Sequence, residues 1–472
     1  MWAGALLCFC LSFAGCKKGS PTGNELPETY TSVEAINLTG DDRLNSVITL
    51  QWWGTDPDGV VDGFEISFDE QTWTYTTSQD STFQFSINAG SDTVDIDFWV
   101  RAVDNDAAVD ATPDFLKIPL KNTPPEVAFN RDLIPADTTF NVLTLTWDAS
   151  DLDGFETIEA IQLKANDGDW VDLNYTVGIV TIVPDDPMAS GETPMTLYLS
   201  AEEAGPSMTG MRLNELNDIY IRAVDIAGSE SILDTLSGIY FRGKTNDVLI
   251  AGAHDKCPSD YYSTLISSAG FDADFIDLDR DGAKNQPRIW NPTMTLMMSQ
   301  YEYVVLYASD VKYLNVQTNE DNMLVELASS SIQHYVDNGG KLLISSPFAN
   351  DMDPTSALFG ILPVDSLSSS QGFARLPTDS IAEGLETGYP DLISGEFITL
   401  DPIYPSSDAT PIYGAHLTPV NNWTGPSTVA VKRSLNGNTN FIFTSLELHR
   451  VDKDPAAVED LFDHIFNTEF AW

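Results

Sequence analysis

The chain is poor in basic residues. It has 23 lysines and arginines against 71 aspartates and glutamates, which gives a formal net charge of −48. A surface of this sign repels phosphates, so we exclude nucleic acid as a partner. It attracts cations, most strongly where carboxylates cluster. The acids are spread along the whole sequence, a distribution typical of solubility in a cation-rich medium, where screening weakens the self-repulsion.

Cysteine is also scarce, and three of the four cysteines lie near the start of the chain. Cys8, Cys10 and Cys16 precede the first polar stretch, and Cys257 stands alone. If the first segment is removed, one thiol remains. A disulfide within the mature chain is then excluded, and a zinc site built from cysteines is disfavoured.

Long apolar runs are missing as well. The apolar run 6–13 is too short to span a bilayer as a helix. Small residues and then Cys16 follow it, as in a signal peptide with a cleavage point. Residues 13–16 resemble the bacterial lipobox, which implies a lipoprotein signal peptide over 1–16, a lipid on Cys16, and a membrane-anchored protein of the bacterial cell envelope facing the periplasm or the cell surface. An ordinary secretory signal and a buried N-terminal strand are the alternatives. Polar residues 17–28 are predicted to form a flexible tether.

A long segment occurs twice in the chain. Each copy has a tryptophan followed by an Asp-x-Asp-Gly loop, and each ends in the sequence Arg-Ala-Val-Asp, at Asp104 and Asp225 respectively. The second copy is longer because of an insertion near residues 185–212. Repetition on this scale predicts two structural units of the same kind.

Each copy consists of short runs in which apolar and polar residues alternate, separated by glycine, aspartate and asparagine. This pattern predicts antiparallel strands with one buried face, and therefore β-sandwiches over residues 29–122 and 123–244. The two copies resemble fibronectin type III and related immunoglobulin-like domains of bacterial surface proteins. The resemblance implies core positions for four aromatic residues: Trp52, Trp147, Phe98 and Tyr220.

The Asp-rich loops of the two copies suggest a calcium hypothesis. Two loops at one pole of a sandwich would bring carboxylates together, and calcium prefers such oxygen ligands. The candidate ligands are Asp56, Asp58, Asp104, Asp106, Asp151, Asp153 and Asp225. The alternative is that these residues only form turns, in which aspartate accepts backbone N–H bonds.

From residue 245 the pattern changes to buried apolar runs that alternate with helical segments. This order predicts parallel strands, and hence a three-layer α/β domain with a mostly parallel sheet over residues 245–472. Within it we expect a helix over 320–336, a hairpin turn at Asn436 and Gly437, and a final helix over 455–466.

The element order and the sequence at 338–345 resemble the class I glutamine amidotransferase-like, flavodoxin-related fold. The resemblance implies a nucleophile near Ser346 and a histidine after a late strand, at His449. The family's cysteine is missing, which excludes a glutaminase, and its His-x-Glu order is reversed to Glu447-x-His449. A residual hydrolase would use Ser346 as nucleophile, His449 as base and Glu447 to orient it, although Pro347 removes an N–H that usually holds the oxyanion.

Three further residues follow the first strand of this region: His254, Asp255 and Cys257. The carboxyl ends of parallel strands are where open α/β sheets bind ligands, so these residues are predicted to line a crevice. An incidental position in a loop is the alternative.

The sequence as a whole predicts two immunoglobulin-like β-sandwiches followed by a three-layer α/β domain. We interpret it as a lipid-anchored envelope protein whose sandwich stalk displays a non-catalytic domain that binds a glycan, a peptide or an envelope protein. A surface hydrolase and a purely structural spacer are the alternatives. The three differ in what they predict for Ser346, His449 and His254.

Overall fold

The computed structural model describes residues 23–32, 47–85, 91–254, 258–278, 292–310, 312–315, 319–348, 356–367 and 373–471. The fold is mostly β, built from several sheets. Cys16, Asp255 and Cys257 lie outside the described residues, as do the predicted signal peptide and the first part of the tether. Within the described ranges, no helix is both long enough and apolar enough to cross a membrane.

The chain divides into two compact units. One unit holds the first repeat together with two loops of the second repeat, Asp151–Thr157 and Asp225–Ser229. The other unit holds the remainder of the second repeat and the C-terminal region.

The first repeat is a sandwich of a three-stranded and a four-stranded sheet. The three-stranded sheet contains Glu28–Ser32, Val47–Thr55 and Asp80–Gln84, and the four-stranded sheet contains Thr74–Thr76, Val61–Ser67, Thr93–Asp104 and Asp114–Lys121. Trp52 and Phe98 are fully buried between the sheets, as the sequence predicts, with their ring centroids 5.8 Å apart. Alternation along each strand thus puts one apolar face inside, as a fibronectin type III-like sandwich requires.

The second repeat has two five-stranded sheets and one additional short pair. The first sheet contains Ala204–Met208, Met195–Tyr198, Ile179–Pro184, Leu143–Ser150 and Glu126–Phe129. The second sheet contains Val171–Asn174, Ile158–Ala165, Glu215–Asp225, Asp234–Arg242 and Thr138–Phe140. The short pair joins Gly191–Glu192 to Arg212–Leu213. The insertion near 185–212 therefore supplies strands that widen one sheet.

The same aromatic contact recurs in both repeats. The Arg101 guanidinium lies 3.9 Å from the ring centroid of Trp73, and the Arg222 guanidinium lies 4.4 Å from that of Trp170. This stacking explains the arginine of the repeated Arg-Ala-Val-Asp sequence, because a guanidinium lies flat on an aromatic face.

The core assignment of Tyr220 is wrong. Its neighbours Ile219 and Ile221 are fully buried, whereas Tyr220 is partly exposed. Successive side chains of a strand point to opposite faces, so an error of one position exchanges inside and outside. Ile219 is the residue that matches Phe98 in the first repeat. Trp147 is buried as predicted.

The C-terminal region is built on a nine-stranded sheet. Its strands, in spatial order, are Ala273–Asp277, Val248–Ala253, Tyr303–Ala308, Lys341–Ser345, Asn438–Thr444, Thr428–Leu435, Ala409–Ala415, Ile381–Gly384 and Leu392–Ile393. The first five are mutually parallel and the last four extend the sheet antiparallel. Asn436 and Gly437 have positive φ and close the hairpin between Thr428–Leu435 and Asn438–Thr444, as predicted.

Helices pack on both faces of this sheet. Ser259–Ser268 and Pro455–His464 pack on the face that contains Leu343, and Thr293–Met298, Leu324–Leu327 and Ser329–Asp337 pack on the face that contains Leu342. The predicted helix over 320–336 begins later than expected, because Glu320–Met323 forms a strand that pairs with Lys312–Asn315. The final helix continues as a π-helical turn over Ile465–Glu469.

Small antiparallel sheets complete the C-terminal region. One pairs Val364–Leu367 with Ile403–Pro405, and the other joins Ile398–Leu400, Phe373–Leu376 and Thr418–Val420. The second repeat also contributes to the core here, because Phe140, Val142 and Val183 belong to the same buried cluster as Leu342. Within their unit, the second sandwich keeps its own core and also contacts the C-terminal region through these three buried residues.

Candidate functional site

Polar side chains gather at the carboxyl ends of three parallel strands of the nine-stranded sheet. His254 follows Val248–Ala253, and Ser346 follows Lys341–Ser345. Glu447 and His449 come shortly after Asn438–Thr444. Open α/β sheets bind ligands at this edge, and the structure brings His254, Glu447 and His449 together there.

Glu447 is the centre of this cluster. His254 Nε2 lies 2.8 Å from Glu447 Oε1, and both side chains are almost fully buried. Arg450 Nη1 donates to the other carboxylate oxygen, Oε2, at 2.5 Å. Burial alone would raise the pKa of Glu447, but the hydrogen bonds from His254 and Arg450 outweigh it and lower the pKa to about 2. The carboxylate is therefore ionised at neutral pH.

His449 completes the cluster from the short helical turn Leu448–Arg450. Its ring centroid lies 4.8 Å from that of His254, and the two rings are nearly perpendicular at 88°. One ligand atom from each of His254, Glu447 and His449 lies within 4.8 Å of the others. The buried hydroxyl of Tyr262 is 3.5 Å from His449 Nδ1. Two imidazoles and one carboxylate thus converge on a single small volume.

Ser345 fixes the backbone that carries Glu447. Its Oγ donates to Leu446 O at 2.9 Å and accepts from Leu448 N at 3.1 Å. The Tyr262 hydroxyl lies 3.2 Å from the same oxygen. Sequence reasoning misses Ser345, because a serine that ends a buried strand gives no signal that it will bond to a distant loop.

Ser346 is placed differently from its predicted role. Its side chain is buried, its Oγ donates to Pro347 O at 3.2 Å, and its backbone N donates to Thr444 O. The hydroxyl that the structure places at His449 belongs to Tyr262. A hydroxyl bonded to the adjacent carbonyl is not activated by a base, so these contacts give the serine-hydrolase hypothesis no support. It stays a prediction.

Aromatic side chains form a rim beside the cluster. Arg450 Nη2 donates to Phe397 O at 3.0 Å, which links Glu447 to an aromatic residue that is 48% exposed. The Arg375 guanidinium lies 5.0 Å from the ring centroids of both Phe373 and Phe397. Arg375 Nε is buried, and no group among the described residues accepts its proton. We call Phe373, Arg375 and Phe397 the aromatic rim.

The Asp-rich loops of the two repeats follow one hydrogen-bonding scheme. Asn24 Nδ2 donates to Asp104 Oδ2 at 2.6 Å, and Asn122 Nδ2 donates to Asp225 Oδ2 at 2.5 Å. Backbone N–H groups bind the other oxygens: that of Asp106 donates to Asp104 Oδ1, and that of Ser229 donates to Asp225 Oδ1. Neutral donors therefore satisfy the carboxylate that ends each repeated sequence.

The Asp-x-Asp-Gly loops of the two repeats also share one hydrogen-bonding pattern, but they differ in how far they are buried. Glu25 N donates to exposed Asp58, whereas Thr123 N donates to Asp153, which is only 1% exposed. Asp56 and Asp151 accept the backbone N–H of Asp58 and Asp153 in the same way. Asp153 Oδ1 is buried without a donor among the described residues. Calcium binding at these loops stays a prediction, tested by melting curves with and without a chelator.

No protein-family model and no curated protein matches the chain. Among solved structures it is similar to fibronectin(III)-like modules of Clostridium thermocellum CbhA, with 12% identity, a TM-score of 0.18 and coverage of 46% of this chain and 95% of that chain. It is also similar to a two-domain fibronectin type III segment of chicken tenascin, with 12% identity, a TM-score of 0.22 and coverage of 45% of this chain and 99% of that chain. A third similar structure is the carbohydrate deacetylase Agd3, with 13% identity, a TM-score of 0.29 and coverage of 47% of this chain and 32% of that chain. These TM-scores are too low to support an argument about function.

Proposed function

We propose that this chain is a lipid-anchored envelope protein that binds a glycan at the carboxyl edge of its parallel strands. Cys16 carries the lipid, residues 17–28 form the tether, and the sandwiches hold the binding region away from the membrane. The C-terminal region is a non-catalytic relative of the amidotransferase-like α/β domains. The observation that carries the proposal is the link through Arg450 between the buried cluster and the aromatic rim.

The aromatic rim favours a glycan over a peptide or a protein. Ligand sites combine aromatic surface with a few polar groups that fix orientation, and flat phenyl faces suit the apolar faces of sugar rings. Phe397 is exposed, and the Arg375 guanidinium lies 5.0 Å from its ring centroid. A guanidinium next to an exposed ring suits the hydroxyl or carboxylate oxygens of a sugar.

Binding of purified envelope glycans to the full chain tests this proposal. The probes are soluble peptidoglycan fragments and a neutral envelope polysaccharide, measured by calorimetry. We expect Phe397→Ala and Arg375→Ala each to weaken binding at least tenfold, because each removes one part of the rim. Two controls are Tyr404→Ala, an exposed aromatic on another strand, and Arg433→Ala, whose guanidinium lies 3.9 Å from Asp408.

The outcomes separate the candidate ligands. Loss of glycan binding in the rim variants, with both controls unchanged, supports the proposal. No glycan binding by the unmodified chain, or equal binding by all variants, overturns it. In that case a peptide or protein ligand becomes the better hypothesis.

A further inference from the structure

We propose that His254, Glu447 and His449 bind one divalent transition-metal ion of the zinc class. The three side chains offer two imidazole nitrogens and one carboxylate oxygen within 4.8 Å of one another. Two histidines and a glutamate are an established zinc ligand set, and three protein ligands leave one position open. This inference deepens the proposed function, because the metal would lie at the proposed glycan site. The argument for the metal itself depends only on the positions of these three side chains.

The spacing requires only small side-chain movements. Zinc bonds of about 2.0–2.1 Å in a tetrahedral site put ligand atoms roughly 3.4 Å apart. The 2.8 Å contact between His254 Nε2 and Glu447 Oε1 would widen, and the His449 ring would move inward. His449 is the least buried of the three, so its ring has the most freedom to move.

The surroundings hold the ligand atoms in position. Arg450 occupies Glu447 Oε2 and leaves Oε1 directed at His254. The Tyr262 hydroxyl lies 3.5 Å from His449 Nδ1 and helps to orient that ring. Groups that hydrogen-bond to metal-binding side chains in this way fix the tautomer and orientation of those side chains.

The charge near the cluster is compatible with a cation. Arg450 brings a positive charge, but its Nε also donates to Glu396 Oε1 at 2.5 Å, which partly balances it. Carboxylate oxygens and imidazole nitrogens are both ligands that zinc-class ions accept. A metal with one open position beside the aromatic rim could take a sugar oxygen as its fourth ligand.

The competing explanation is that His254 and Glu447 form an ion pair that stabilises the fold without a metal. The two explanations differ in the role of His449, which the ion pair does not need. They also differ in the response to metal alone, with no glycan present.

Cobalt(II) titration of the tag-free full chain tests the site. Tetrahedral cobalt absorbs visible light, so its spectrum reports coordination directly, and zinc calorimetry gives the stoichiometry. We expect one equivalent to bind, and His449→Ala to weaken binding at least 100-fold. The matched control is His416→Ala, because the His416 side chain is 86% exposed and pairs with Glu383 outside the cluster.

Two further variants keep the test decisive. Glu447→Gln should also weaken cobalt binding strongly, and melting curves show whether it is folded. Cys257→Ser should leave binding unchanged. No stoichiometric binding by the unmodified chain, unchanged binding by His449→Ala, or loss in Cys257→Ser but not in His449→Ala overturns the metal proposal. Rim variants that lose glycan but keep cobalt separate the two proposals, as does a chain that binds glycan without metal.

Discussion

Two buried carboxylates, Asp225 and Glu447, are stabilised in opposite ways. Asp225 ends the repeated sequence of the second sandwich, and among the described residues its hydrogen-bond donors are neutral groups such as the Asn122 amide and the Ser229 backbone. Glu447 in the C-terminal region is held by the Arg450 guanidinium and the His254 ring. In the part of the chain that the structure describes, the Asp225 carboxylate is thus held by neutral donors, whereas the Glu447 carboxylate has two potentially cationic partners.

The difference follows from the scarcity of basic residues. With 71 acids and 23 bases, most carboxylates cannot have a cationic partner. Backbone N–H groups and asparagine amides are available in any turn, so loops can hold their carboxylates without lysine or arginine. A buried charge pair costs more desolvation and is weak evidence for stability. The proposed binding site would account for its presence at Glu447.

The largest expected effect is at Glu447. Glu447→Ala leaves the buried His254 and part of Arg450 without their acceptor, so the free energy of unfolding should fall by about 3 kcal/mol. Asp225→Ala removes only neutral hydrogen bonds and should cost about 2 kcal/mol. Urea unfolding in the presence of a chelator measures both without a metal contribution. A greater loss for Asp225→Ala would reverse the comparison.

A smaller effect is expected from the asparagines that bind the repeated aspartates. Asn122→Ala deprives Asp225 of an amide donor in a partly buried position and should cost about 1–2 kcal/mol. Asn24 itself is exposed although Asp104 is buried, so water can replace its amide more easily and Asn24→Ala should cost less, about 0.5 kcal/mol. Paired melting curves of the two variants check this. Equal losses would show that depth does not decide the energy of the repeated scheme.

The sequence predicts the repeats, the buried tryptophans and the hairpin at Asn436, because each depends on local alternation or on a turn that asparagine and glycine favour. It also predicts that His254 and Glu447 lie at the carboxyl edge of parallel strands. It misses the role of Ser345, the strand Glu320–Met323 and the one-position shift at Tyr220. Ser345 bonds to a loop 101 residues away, which a single sequence does not show. Glu320–Met323 pairs with the nearby Lys312–Asn315, but its mostly polar sequence lacks the alternation that indicates a strand.

The smallest expected effect is a pH dependence of opposite sign in the two regions. Burial, aided by the neighbouring carboxylates of Asp153 and Asp225, raises the pKa of Asp151 above its usual 3.8. Folding therefore favours its protonated form, and this contribution to stability is lost as pH rises through the raised pKa.

Burial would also raise the pKa of Glu469, but hydrogen bonds from Lys432 and Thr439 lower it below 4.5. That contribution is present above 4.5 and is lost as pH falls through the lowered pKa. At pH 7, Asp151→Asn should raise the melting temperature and Glu469→Gln should lower it. Both differences should shrink in acid, and shifts of the same sign at pH 7 would contradict the contrast between neutral donors and cations.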